Sequence, residues 1–303
     1  MYYYIDPVLF KIGPISATWY GLILGAAALV GLFLAVREGK RFNIPSDFFM
    51  DLLLIGAPSA IVVARLYYVA FEWEHYRDDP LSIIQIWNGG IAIHGALIGA
   101  IIAAVIYTRI KGYSFWKIAD ICAPSLLIGQ IIGRWGNFVN QEAHGGPVSL
   151  DFLENTLHLP TFIVEQMQIN GIYYHPTFLY ESLWNVVGLI LLIILRRRSF
   201  VRVGEVFASY FIWYSAGRFF IEGLRTDSLS FQGPEWLASF MNTLWTPMTW
   251  VFGEAGSMDV GENIRMAQLI SLIIILVAVL FIVIRRWGGF AKEKYGDPIT
   301  LQK

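Results

Sequence analysis

Residues Met266 to Ile284 read MAQLISLIIILVAVLFIVI, nineteen positions without a charge, and Arg285 and Arg286 follow at once. A helix rises about 1.5 Å per residue, so ~20 apolar residues cross the ~30 Å hydrocarbon core of a bilayer. This stretch therefore predicts a membrane-spanning helix that ends on a basic side. Six further apolar stretches lie at about 16–36, 47–71, 83–108, 118–134, 176–195 and 204–222. The fourth and sixth of the seven are short and interrupted by charge. Over 303 residues the chain is 56% hydrophobic and 15% charged, with a mean hydropathy of +0.55. A soluble domain carries about 25% charged residues. The reading is an all-α integral membrane protein, a single polytopic domain over 1–303 with about seven transmembrane helices.

A net charge of −1 gives no sign of nucleic-acid binding. The one cysteine, Cys122, has no intrachain disulfide partner and no neighbouring metal ligands, and reads as a buried packing residue. The first twenty residues lack a basic region ahead of a short apolar run, so no cleaved signal peptide is expected. Of the 22 Lys and Arg, 15 follow the first, third, fifth and last stretches. By the positive-inside bias the N-terminus is outside and the C-terminus cytoplasmic. Two external segments, 135–175 and 223–265, are too long for turns. The second, with Pro234, Pro247 and the tryptophans between Trp236 and Trp250, suits the headgroup level, and both are expected to form a partly structured external cap. Gly21-xxx-Gly25 and Gly95-xxx-Gly99 read as close helix contacts. No internal repeat stands out, which weakens an inverted-repeat transporter reading.

The remaining basic residues carry the functional argument. Gly133-Arg134-Trp135-Gly136-Asn137-Phe138-Val139-Asn140-Gln141-Glu142-Ala143-His144-Gly145 is a polar cluster where an apolar stretch meets the membrane surface. Arginine stays charged at any biological pH, and placing it in a bilayer costs about 2.5–3.5 kcal/mol on insertion scales. Arg134 and Asn137 share a face if the helix continues past the apolar stretch. Tyr214, Arg218, Glu222 and Arg225 draw a polar stripe down the outer half of the sixth stretch, and a lipid-facing helix would not carry it. His94 sits among small and apolar residues, which suggests a deep position. A neutral imidazole there could accept a proton.

Each of these also has a plainer explanation. A lone arginine near a span end is often a snorkelling anchor, Arg218 with Glu222 is a possible neutralised pair, and a lone histidine is often a packing residue. Arg65, with Asp51 in the same span, reads as an internal ion pair or hydrogen-bond network. The gathering of arginines, histidine, asparagines, tyrosines and a carboxylate toward one leaflet favours a site for an anionic substrate.

These residues also resemble a known family. The 133–145 cluster is similar to the signature G-R-x-G-N-F-x-N-x-E-x-x-G of the bacterial prolipoprotein diacylglyceryl transferases. Trp19-Tyr20-Gly21, His94-Gly95-Ala96-Leu97-Ile98-Gly99, His175-Pro176-Thr177-Phe178-Leu179-Tyr180-Glu181 and Tyr214-x-x-x-Arg218-Phe219-x-x-Glu222-x-x-Arg225 resemble its other motifs, in order from residue 19 to 225. Ala96 stands where the family commonly has a second glycine. Segment 223–265 matches no motif.

The resemblance implies transfer of the diacylglyceryl group of phosphatidylglycerol to the lipobox cysteine of a preprolipoprotein, giving a thioether and glycerol phosphate. It implies no metal or soluble cofactor, a multi-pass location in the bacterial inner membrane, and the bilayer and the substrate's signal peptide as partners. Catalytic roles would fall on His94, Arg134, Arg218, Tyr214 and Glu142. Phosphatidylglycerol would be bound by Arg134, Asn137, Asn140, Tyr20, Gly145, Arg218, Glu222 and Arg225. The chemistry is consistent with this, because leaving phosphate gains charge as the carbon–oxygen bond breaks and fixed guanidinium groups stabilise that charge. A transporter or flippase for an anionic lipid would need similar arginines and is the alternative. An intramembrane protease is disfavoured, for want of a Gly-x-Ser-x-Gly nucleophile or paired aspartates.

Overall fold

A computed structural model of the protein describes residues 5–13, 15–252, 262–290 and 292–299. The first four residues, the middle of the expected 223–265 cap and Lys303 of the basic tally lie outside the described residues. Antiparallel strands β1 (Val8–Ile12) and β2 (Ile15–Thr18) lead into α1 (Trp19–Arg41), followed by α2 (Ser46–Phe71), the one-turn α3 (Trp73–Tyr76), α4 (Ile93–Ile110) and α5 (Phe115–Asn140). Next come α6 (Thr161–Gln166), a hairpin of β3 (Gln168–Ile169) and β4 (Ile172–Tyr173), α7 (Thr177–Leu195) and α8 (Glu205–Glu222). The chain closes with β5 (Ser230–Phe231), α9 (Glu235–Trp245), the one-turn α10 (Thr249–Phe252), β6 (Ile264–Arg265), which pairs with β5, and α11 (Met266–Trp287).

Among the described residues six helices, α1, α2, α4, α5, α7 and α11, are long and apolar enough to cross a membrane. Large apolar side chains point outward along them, as Leu29, Leu54 and Ile110 do. In water that would be unfavourable; against lipid it costs nothing. The protein is an all-α integral membrane protein. Helix α8 has the length of α4 but carries Glu205, Arg218 and Glu222.

The chain forms two compact units, Met1–Gly31 with Ala123–Gly296, and Leu32–Cys122 with Asp297–Lys303. In the second unit α4 packs on α2 through two glycines. A Cβ at Gly95 would lie 2.7 Å from the Ala64 Cα, and one at Gly99 would lie 2.5 Å from the Ser59 carbonyl oxygen. Gly21 and Gly25 differ from this expectation, since a Cβ at Gly25 would meet nothing within 4 Å. Their spacing alone did not distinguish the two pairs.

Arg65 is buried and its guanidinium donates to the carbonyls of Ser82, Ile83, Gly89 and Gly90 at 2.6–2.9 Å. The expected network is there, but Asp51 is not its partner and accepts from the Tyr107 hydroxyl at 2.9 Å. The same loop corrects the third apolar stretch. Gly89 and Gly90 adopt positive φ of 84° and 77°, which favours glycine, and α4 starts only at Ile93. His94 is thus in the first turn of α4 and exposed, not deep within a helix.

In the first unit α7 and α8 are locked by two tryptophans. The Trp184 indole donates to the Trp213 carbonyl at 2.9 Å, the Trp213 indole donates to the Trp184 carbonyl at 3.0 Å, and the rings stack at 4.4 Å. Each ring covers a glycine of the facing helix, Gly217 under Trp184 and Gly188 under Trp213, where a Cβ would come within 2.4 Å and 2.3 Å. Residues 141–175 bury a small core of their own, with Leu153, Ile163, Val164 and Met167 packed on Phe138 of α5 and Phe178 of α7. The described part of the next segment does likewise, with Ala238, Met241 and Trp245 of α9 packed on Phe219 and Leu224. At the far end of α7 and α8, Arg286 forms a two-point pair with Glu205 at 2.6 and 2.7 Å.

Candidate active site

Three helices of the first unit supply the polar residues. Helix α5 continues through the signature to Asn140, so Gln130, Arg134 and Asn137 fall on one side of it. Helix α8 presents Tyr210, Tyr214, Arg218 and Glu222 at four-residue steps. The two stripes are tied together where Gln130 donates to the Tyr210 hydroxyl at 2.9 Å. Ser182 of α7 donates to the Ile131 carbonyl at 2.7 Å and fixes the third helix against α5. One turn into α7, Glu181 enters between the stripes.

Glu181 is the hub of the site. One carboxylate oxygen pairs with the Arg134 guanidinium and the other with Arg218 at 3.4 Å. Arg218 also holds Glu222 at 2.5 Å. Both carboxylates are almost wholly buried, while Arg134 and Arg218 keep 18% and 21% of their side-chain surface open. Two guanidinium groups thus converge on one anionic point and remain accessible. The signature loop extends the chain: Asn137 lies 3.5 Å from Arg134 and donates to Glu142 at 2.8 Å, and Gln141 and Ala143 take positive φ to wrap the loop back.

The glycines of the signature have steric reasons. A Cβ on Gly136 would lie 2.6 Å from the Tyr20 ring, so the glycine lets that ring lie on α5. A Cβ on Gly145 would lie 2.6 Å from the His175 Cβ and 3.0 Å from the Leu224 carbonyl oxygen. Gly145 donates to the His175 carbonyl at 2.9 Å and bridges to Arg225, so three segments close there. Burial lowers the pKa of His175 to about 4, and it stays neutral beside the Tyr180 hydroxyl.

Arg225 lies just beyond the end of α8, approaches Glu222 at 4.0 Å and holds Asp227 by two hydrogen bonds of 2.8 and 2.6 Å. Although burial opposes it, the Arg225 hydrogen bond keeps the Asp227 carboxyl below its ordinary range. Asn140 forms no side-chain hydrogen bond among the described residues, and Tyr214 stacks on Tyr210. His94 belongs to the other unit, where its ring lies 6.3 Å from that of Tyr67.

Glu181, Gln130 and Tyr210 were not among the expected site residues. A carboxylate one turn inside an apolar span needs a cation, and that was the available signal for Glu181.

A model of the prolipoprotein diacylglyceryl transferase family matches residues 7–284. The chain belongs to this family of transferases. Relatives named phosphatidylglycerol–prolipoprotein diacylglyceryl transferase occur in Bacillus licheniformis (52% identical over 293 residues) and Bacillus velezensis (49% over 293), each covering 97% of both chains. One from Bacillus cytotoxicus is 51% identical over 291 residues, 96% of each chain. The match spans both units of this family member, the arginine hub and the His94 helix included.

Proposed function

We propose that the protein transfers the diacylglyceryl group of phosphatidylglycerol to the lipobox cysteine thiol of a preprolipoprotein in the bacterial cytoplasmic membrane, the first step of lipoprotein maturation. The observation that carries this reading is the convergence of Arg134 and Arg218 on the two oxygens of one carboxylate. A phosphodiester presents two such oxygens in a similar spread. Glu181 keeps both guanidinium groups aimed at one point, and the lipid phosphate takes over their donors when it binds.

The cysteine sulfur attacks the glyceryl carbon, a carbon–sulfur bond forms and the carbon–oxygen bond to phosphate breaks. The thiol proton passes to a base, and the phosphate leaves as a glycerol phosphate monoester. Its charge grows from one toward two as the bond breaks, so cations fixed beforehand lower the barrier more than they tighten binding. His94 serves as the base, since an imidazole takes a proton near neutral pH and the thiolate is the reactive form. Asn137, Asn140 and Glu142 orient the headgroup and brace Arg134, and Tyr20 and Tyr214 supply hydroxyl groups to it. Gly145 and Arg225 shape the surrounding loop, and Glu222 balances Arg218. In this reading α8 also crosses the membrane and brings the crossings to seven, the N-terminus is outside, and segment 135–175 with the described part of 223–265 forms the cap over the outer leaflet.

The test mixes the detergent-purified protein with phosphatidylglycerol and a lipobox peptide and follows the peptide by mass spectrometry. A diacylglyceryl adduct on the cysteine is expected. An unmodified peptide would favour lipid transport, and a shortened one would indicate proteolysis.

A further inference from the structure

The seam between α7 and α8 contains a groove that the transfer reaction does not use. It has a volume of about 410 Å³ and is walled by Leu191, Leu195, Phe200 and Ile212, with Trp213 at one end and Arg198 at the other. Leu195 follows Glu181 by fourteen residues along α7, so this end of the groove lies ~20 Å from the arginine hub. The Arg198 side chain is exposed and forms no ion pair among the described residues.

The shape and charge select the occupant. An apolar wall that faces hydrocarbon attracts a hydrocarbon chain, and an exposed guanidinium at its mouth attracts an anion. A helical peptide about 10 Å across fills ~420 Å³ per turn, so the groove would hold less than one turn of it. A single acyl chain with a charged head fits both ends. We propose that this groove binds an anionic phospholipid from the leaflet opposite the arginine hub, with one acyl chain along Leu191, Leu195 and Ile212 and its phosphate on Arg198. The two stacked indoles stop the chain at the upper end, and the inference stands whether or not the transfer reaction does.

Native mass spectrometry of the full-length protein, released from micelles with equal phosphatidylglycerol and phosphatidylcholine, reads this site. Beyond any lipid held at the arginine hub, wild type is expected to retain one further tightly held lipid, with about fivefold preference for the anionic species at this second place, the scale of one arginine at a membrane surface. Arg198→Gln should bring that preference to parity without removing any packing. Ser209→Phe, which fills the groove from α8, should lower the lipid count by one, while Arg218→Ala leaves this lipid in place. Equal retention of both lipids by wild type, or an undiminished preference in Arg198→Gln, would overturn the proposal. If Ser209→Phe does not fold, Arg198→Gln alone decides.

Discussion

Arg65 and Arg134 are both guanidinium groups in apolar helices, and the protein treats them in opposite ways. Four backbone carbonyls of one loop surround Arg65, and its side chain is sealed from outside. Arg134 depends on a side-chain carboxylate that it shares with Arg218, and it remains partly open. Carbonyls cannot leave without unfolding their loop, whereas a carboxylate can be replaced by another anion. A charge in the membrane thus serves architecture when its partners are backbone, and serves chemistry when its partner is exchangeable.

Substitutions at the two places should separate these roles. Arg65→Met leaves buried carbonyls without donors, so a loss of about 3–5 kcal/mol in stability is expected, visible as a lower denaturation midpoint in detergent. If Arg65→Met keeps the wild-type midpoint, the carbonyl cage does not hold the loop. Arg134→Lys should keep that midpoint and lower kcat/KM for adduct formation by about 10²–10³, because an ammonium cannot hold two oxygens in one plane. Near-normal turnover would remove the two-point grip from the mechanism.

His175 provides a pH test of the scaffold around Gly145. Its pKa is about 4 when folded and ~6.5 when unfolded, so between these values the unfolded chain binds more protons. Stability is therefore complete above about pH 6.5 and falls as the pH drops toward 4, by at most about 3 kcal/mol. His175→Gln should flatten this dependence in denaturation midpoints measured from pH 7 to 4. An unchanged slope would assign the acid sensitivity to other groups.

The smallest effect is expected at the hub itself. Glu181→Gln keeps a side chain of the same shape but removes the charge that aims the arginines, and about a tenfold fall in kcat of the folded protein is expected. A drop as large as that of Arg134→Lys would mean that Glu181 does more than position them.

Much of this was legible in the sequence, for definite reasons. Hydropathy alone locates the helices, because a lipid-facing surface leaves no alternative to apolar residues. The four-residue steps from Tyr214 to Glu222 place that stripe on one side of α8. The start of α4 was not legible, since it is set by the Arg65 grip on a loop seventeen to twenty-five residues away. Nor was the pairing of Arg134 with Glu181, because spacing orders residues along one helix and says nothing of which side chain from another helix will meet them. Arg225 lies past the end of the helix at Glu222, yet it still approaches that carboxylate at 4.0 Å, as the spacing of the stripe suggests.

The crossed indoles of Trp184 and Trp213 act as a bulkhead. They staple the mid-height of one helical seam, so α7 and α8 must travel as a single plank. A lipid tail cannot pass the two indoles along this seam, and any doorway that admits a lipid to the arginines must open along a different edge of the protein.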